Sequence, residues 1–132
     1  MSTPPTDPNL LPDGRRGLFA LLGLGLLLRL ALIWSGAGDN RVVADDAFYY
    51  FTIARNVAAG VGATFDGLGA TNGFHPLWLL LLTPLFALAR ALHLAPWVAV
   101  HLALTLCALL DVVTGAVLWR LLRRLGSARG AH

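Results

Sequence analysis

The residues of this sequence best suited to chemistry are two adjacent carboxylates, Asp45 and Asp46. A carboxylate can take the proton of a hydroxyl group while that hydroxyl attacks an electrophile. Acids of this kind also cap a helix or complement its dipole, and that contributes about 1 kcal/mol of ordinary stability. One acid is enough for capping, whereas two neighbouring carboxylates repel each other unless water, a cation or a reaction stabilises them. The pair therefore indicates either a helix start or an acid-base centre.

Other residue types offer weaker signals. His75 lies beside Pro76 and Trp78, where an amphipathic ring suits a boundary between membrane and water with or without a function. The glycines of Gly60-Val61-Gly62 do not form a phosphate-binding fingerprint, because no strand precedes them. One cysteine and four scattered histidines show no metal-ligand spacing. We therefore predict no metal site and no disulfide.

The composition of the chain is that of a membrane protein. Of 132 residues, 57% are hydrophobic and 13% are charged, whereas a soluble domain carries about 25% charged residues. This excludes a soluble enzyme, a disordered tail and a disulfide-stapled secreted module. The net charge of +3 depends on ten arginines that lie mostly beside hydrophobic runs. Such placement indicates membrane topology and no nucleic-acid partner.

Three apolar runs separate the polar segments of the chain. We predict an all-α membrane protein with about three transmembrane helices and an amphipathic interfacial helix in the first external loop. The segments are a disordered tail (1–16), a first span (17–35), an external loop (36–75) with an amphipathic helix (46–59), a second span (76–94), a third span (96–120) and a basic tail (121–132).

The first apolar run has a rival interpretation as a cleaved signal peptide, with Arg15 and Arg16 as its basic region. A signal core is an uninterrupted apolar run of about 7 to 15 residues. Here the run continues past Arg29 to Trp34, so its length favours a retained span. Arg29 either reaches the interface with its long side chain or faces a polar cavity.

Two arguments about topology disagree. With the N-terminus inside, most arginines outside the first flank, including the C-terminal cluster, would lie on the external side, against the positive-inside rule. The first span often dominates orientation, however, and Arg15 and Arg16 directly precede it. We therefore take the N-terminus as inside. Asp111 in the third span should face protein or water, and it indicates packing partners outside this chain.

The order of these features resembles the start of GT-C glycosyltransferases. These polytopic membrane enzymes use lipid-linked sugars and include protein O-mannosyltransferases, aminoarabinose transferases and Rgt-type lipopolysaccharide glycosyltransferases. The resemblance rests on a basic-flanked first span, then DDAFYYFTIARNVAAGVGATFDGLGATNGFHPLW, then a second span that begins at the proline. It covers roughly residues 15–124, and its specific part is residues 45–78.

The resemblance implies a site. Asp45 and Asp46 match the acidic pair that marks the active site in the first external loop of the family. Asp45 would be the catalytic base, and Asp46 would orient the acceptor or tune Asp45. Tyr49, Arg55 and His75 are the substrate-binding candidates, with Arg55 available to a phosphate group. The donor would be a polyprenyl-phosphate sugar, with no cofactor besides it and divalent metal left open.

The resemblance also implies a larger protein, because GT-C enzymes have many more spans. We therefore expect this polypeptide to be an incomplete enzyme, inactive alone, whose partners are membrane lipid and either the missing C-terminal transmembrane segments or a membrane partner. The expected location is the inner (plasma) membrane, with the loop 36–75 on the periplasmic side. The alternative is a small non-catalytic membrane protein that acts as a structural or interaction subunit. A transporter fragment using Arg29 and Asp111 lacks a binding-site signature.

Overall fold

The computed structural model describes residues 14–35, 43 and 45–129, and most of this part is helical. Four helices follow one another: α1 (Gly14–Trp34), α2 (Asp45–Ala58), α3 (Pro76–Ala91) and α4 (Pro96–Arg129). No strand forms in the described ranges, where the β-type pairing is limited to an isolated bridge between Thr64 and Ala70. The predicted all-α class is confirmed.

Two helices, α1 and the Pro96–Leu125 part of α4, are long and apolar enough to cross a membrane by length and composition. No residue of α1 is buried, and only 11% of the most apolar stretch of α4 is buried. Their apolar surface is therefore turned outward, unlike that of the core helix of a soluble protein. α3 has 16 residues, which is about 24 Å and less than the roughly 30 Å of a bilayer core. The predicted second span (76–94), and with it the count of three spans, thus stays a prediction.

The long helices extend beyond the predicted segments. α1 begins at Gly14, so Arg15 and Arg16 lie in its first turn, while residues 1–13 of the predicted tail are outside the described residues. α4 continues through the predicted basic tail to Arg129, because no proline interrupts the chain after Pro96. A signal peptide would also form an apolar helix near the N-terminus, so the retention of α1 as a span stays a prediction.

α3 ends before residue 94 because the backbone reverses at His93. His93 has φ 51, in the left-handed region that non-glycine residues seldom adopt. The N–H of His93 donates to the Arg90 carbonyl at 3.0 Å, and the N–H of Leu94 donates to the Ala89 carbonyl at 2.9 Å. These bonds form a Schellman-type end in which histidine occupies the usual glycine position.

The described residues group into two compact units, of which the first joins residues up to Arg29 with residues from Ala108 onward. In this unit a guanidinium nitrogen of Arg29 lies 3.6 Å from a carboxylate oxygen of Asp111, and both side chains are exposed. An uncompensated charge near the middle of a span costs about 2.5 to 3.5 kcal/mol of insertion free energy. Asp111 therefore has a partner of opposite charge within the chain, and the expectation of packing partners outside it stays a prediction.

The same unit brings α1 and α4 close together at a glycine. A β-carbon added to Gly115 would lie 2.9 Å from a methyl carbon of Leu22. Small residues at such a point let two apolar helices approach, as is common for helices that pack in membranes.

The second unit, residues 30–107, contains the core in which α2 packs against α3. Ile53 of α2 and Leu82 of α3 are completely buried. Large side chains and alanines from α2, α3 and the beginning of α4 complete this core. The buried core residues of this unit are Phe51, Ile53, Ala54, Leu79, Leu82, Phe86, Ala89, Ala99 and Ala103.

Adjacent aromatic side chains of α2 contact two separate positions along α3. The ring of Tyr50 is 5.9 Å from the ring of His75, directly before α3. The ring of the next residue, Phe51, is 6.0 Å from that of Phe86. Eleven residues of helix, about 16 Å, separate these two positions. Tyr50 and Phe51 therefore leave α2 in different directions and pack at different heights along α3.

The segment after α2 turns back along the helix. Gly60, with φ 80, ends α2 as predicted, since the N–H of Val61 donates to the Asn56 carbonyl at 2.9 Å and that of Gly60 to the Val57 carbonyl. A turn at Asp66 follows. The N–H of Thr71 then donates to the Ala63 carbonyl at 2.8 Å, which brings the chain to the start of α3.

Candidate functional site

The acidic pair opens α2. Asp45 is the first residue of the helix and Asp46 the second; the side chain of Asp46 is exposed, and that of Asp45 is outside the described part. The first turn of a helix carries unpaired N–H groups and a partial positive charge, which stabilises carboxylates as anions. The pair therefore lies at a helix start, where the backbone attracts anions, and the carboxylate of Asp46 is accessible.

His75 lies at the same end of α2 as the acidic pair. Tyr50, whose ring contacts His75, is four residues after Asp46 and so lies one turn away on the same side of the helix. His75 is itself the N-cap residue of α3, with an extended backbone (φ -81, ψ 114), and its carbonyl accepts the N–H of Leu79 at 3.0 Å. The start of α3 therefore places an exposed imidazole near the start of α2.

Tyr49 holds the segment that follows α2. Its hydroxyl is 2.7 Å from the hydroxyl oxygen of Thr71, and its ring stacks on that of Phe65 at 5.0 Å with an angle of 24° between the planes. A β-carbon at Gly73 would lie 3.3 Å from the same hydroxyl, so the backbone approaches closely there. Tyr49 therefore positions the segment that follows α2. This role was not predicted from the sequence, which indicated Tyr49 only as a substrate-binding candidate.

Asn56 is a second anchor of this segment, and the sequence analysis did not select it for the site. Its side-chain amide nitrogen donates to the carbonyl of Thr64 at 2.9 Å and lies 3.3 Å from both the Thr64 hydroxyl and the Phe65 carbonyl. Thr64 is itself buried. The one signal for this role in the sequence was an amide side chain one turn before the glycines that end the helix.

Arg55 is not brought together with the acidic pair. It follows Asp46 by nine residues, about 14 Å along α2 and half a revolution around it. Its exposed side chain lines a cleft of about 410 Å³ together with Arg90 and His93. The predicted site residues are therefore not all together. Asp45 and Asp46 lie at the end of α2 near His75, whereas Arg55 lies on the opposite side of the helix, which we call the basic side. Arg90 and His93 are basic residues that the sequence analysis did not assign to this side.

Asp66 is the other acid of the segment between α2 and α3, and its role is local. One of its carboxylate oxygens accepts the N–H of Leu68 at 2.9 Å and that of Gly69 at 3.1 Å. These two backbone hydrogen bonds hold the pKa of Asp66 below its ordinary value. Asp66 therefore forms the predicted turn, with Gly67 at φ 80.

In the described ranges, no group of three or more histidine, cysteine or acidic side chains is arranged to hold a metal ion. The chemistry that the described residues can offer is proton transfer at the exposed carboxylates and anion binding at the arginines.

Comparison with protein-family models, with curated proteins and with solved structures found no match for this chain.

Proposed function

We propose that this chain acts as the N-terminal part of a membrane glycosyltransferase that moves a sugar from a polyprenyl-phosphate donor to an acceptor hydroxyl. The observation that carries the proposal is the pair of adjacent acidic residues that begins α2, of which Asp46 is exposed, soon after an apolar helix long enough to cross a membrane. The resemblance of residues 45–78 to the GT-C family supports the same assignment.

In the proposed reaction Asp45 is the base. Its carboxylate takes the proton of the acceptor hydroxyl while the hydroxyl oxygen forms a bond to the anomeric carbon of the sugar. The bond from that carbon to the phosphate oxygen breaks, and polyprenyl phosphate leaves with the electron pair. Base catalysis of this kind supplies about 100- to 10,000-fold in rate. Asp46 orients the acceptor, and Tyr49, three residues later on α2, is a substrate-binding candidate beside it.

The proposed membrane arrangement follows from the helices. α1 and α4 cross the bilayer, and α3 forms a short third span whose Arg90 reaches an interface with its long side chain. We place α2 close to the plane of the membrane surface, where a polyprenyl phosphate presents its head group, because α2 is rich in aromatic residues and lies between apolar helices in the sequence. The N-terminus is then inside, and residues 36–75 lie on the periplasmic side of the inner membrane.

The test introduces Asp45→Asn into the gene and expresses the whole polypeptide that the gene encodes in its native membrane. The mass of the expressed polypeptide is determined first. Transfer of sugar from a polyprenyl-phosphate donor is then measured as the amount of labelled glycan formed. Asp45→Asn keeps the size of the side chain and removes its basicity. We expect the transfer rate to fall by about 100-fold or more while the amount of inserted protein is unchanged.

Asp66→Asn is the matched control, because it removes one acid from the same segment at a site that only forms a turn. It should leave transfer unchanged. Equal transfer by Asp45→Asn and by the unaltered protein would remove Asp45 from the mechanism. That result would favour a non-catalytic structural subunit, in which the acids only complement the dipole of α2 with about 0.3 to 1 kcal/mol.

A further inference from the structure

A continuous groove borders α2 on the side away from the acidic pair. It consists of two clefts, of about 190 and 410 Å³, which share Arg55, Phe86 and Pro96 in their linings. The groove therefore runs between α2, the C-terminal end of α3 and the beginning of α4. All of these residues belong to one compact unit.

One end of the groove is cationic. Arg55, Arg90 and His93 line the larger cleft, and all three side chains are exposed. The linings of the two clefts contain no carboxylate, and neither arginine forms an ion pair with a described residue. Two guanidinium groups beside one cleft repel each other, and an anion between them removes that repulsion. The planar fork of arginine suits the oxygens of a phosphate group in particular.

The rest of the groove is apolar and aromatic. The smaller cleft is walled by Phe48, Phe51 and Trp97, and Phe48 and Trp97 are about half exposed. A free phosphate ion would use only the cationic end and would leave this aromatic wall open. An acyl chain would cover it, and a phospholipid carries a phosphate and acyl chains in one molecule.

We propose that this groove binds the head of one anionic phospholipid, with its phosphate on Arg55 and Arg90 and the first part of an acyl chain against Trp97 and Phe86. The proposal does not require sugar transfer at Asp45 and Asp46, and it assigns Arg55 to the phosphate of a phospholipid instead of the phosphate of a sugar donor. The competing explanation is that both arginines only extend into water from the ends of their helices.

The experiment uses the full chain purified in a neutral maltoside detergent. Native mass spectrometry counts bound molecules during titration with dioctanoyl phosphatidylglycerol, and with dioctanoyl phosphatidylcholine and inorganic phosphate in parallel. We expect one phosphatidylglycerol per chain at saturation and clearly weaker binding of phosphatidylcholine. In Arg55→Gln/Arg90→Gln we expect the affinity for phosphatidylglycerol to fall about tenfold or more.

The matched control is Arg120→Gln/Arg124→Gln, which removes the same charge from two exposed positions of α4 outside the groove. It should bind phosphatidylglycerol like the unaltered chain. Equal loss in both double variants would mean general attraction between charges and would overturn the proposal. Equal binding of the two lipids would also overturn it. Far-UV circular dichroism shows that each variant keeps its helices.

A second variant tests the apolar wall without changing the charge. Trp97→Ala should weaken the binding of phosphatidylglycerol. It should not change the binding of inorganic phosphate. Displacement of the lipid by millimolar inorganic phosphate would identify a site for the free ion instead. Either that displacement or unchanged lipid binding by Trp97→Ala would contradict a phospholipid as the occupant.

Discussion

Asn56→Asp is expected to release the segment between α2 and α3 from the helix. The amide nitrogen of Asn56 donates to the Thr64 carbonyl at 2.9 Å and lies 3.3 Å from the Phe65 carbonyl. Aspartate has almost the same shape, but it places a carboxylate oxygen where the donor stood. Two carbonyl oxygens then face an anion, and the buried Thr64 loses its hydrogen-bond donor. A buried acceptor left without its donor costs about 1 to 3 kcal/mol.

The assay is hydrogen exchange of the segment, followed by mass spectrometry of peptides from residues 59–75. The N–H of Thr71, bonded to the Ala63 carbonyl at 2.8 Å, reports on whether the segment stays closed. A loss of 1 to 3 kcal/mol speeds exchange through local opening by about 5- to 150-fold. Peptides from α4 should keep their protection, because they do not depend on Asn56.

Asn72→Asp is the matched control, since it makes the same chemical change at an exposed residue of the same segment. It should leave the exchange of Thr71 within about twofold of the unaltered chain, as expected for a surface substitution. Unchanged protection in Asn56→Asp, or equal loss in the two variants, would refute the anchoring role of Asn56.

Two further predictions concern the ends of turns. Because the pKa of Asp66 is lowered, its hydrogen bonds to the backbone are complete above the ordinary value of 3.8 and are lost as the pH falls through the lower pKa of the folded state. The amide proton shift of Leu68, followed by NMR, should therefore titrate with a midpoint below 3.8. A midpoint at or above that value would contradict the turn. His93→Gly should raise the thermal midpoint, measured by circular dichroism, because glycine adopts φ 51 without a penalty of about 1 kcal/mol, whereas His93→Ala keeps the β-carbon and should not raise it.

The helices of this chain could be predicted because their signals are local. The spacing of apolar residues after Asp45 predicts a helix over 46–59, and the structure has one over Asp45–Ala58. Gly60 marks its end, because glycine adopts positive φ freely. The end of α3 was predicted less well, since His93 takes the left-handed position where the usual signal is glycine or asparagine.

The arrangement of the candidate site could not be predicted in the same way. Periodicity shows that one face of α2 is apolar, but it does not show which helix covers that face or at what angle. Arg55 lines a cleft with Arg90, 35 positions later in the chain, only because α2 packs against α3.

The packing of α2 on a helix that follows it in sequence has a consequence for biosynthesis. α2 is complete when residue 58 has been made, but its partner α3 is complete only at residue 91. At about 5 to 20 residues per second this interval lasts about 2 to 7 s. For that time Phe51, Ile53 and Ala54, which are buried in the finished core, have no protein surface to cover them. During translation the aromatic face of α2 is therefore uncovered for seconds. The surfaces that can cover this face before α3 is complete are those of lipid or of an insertion factor.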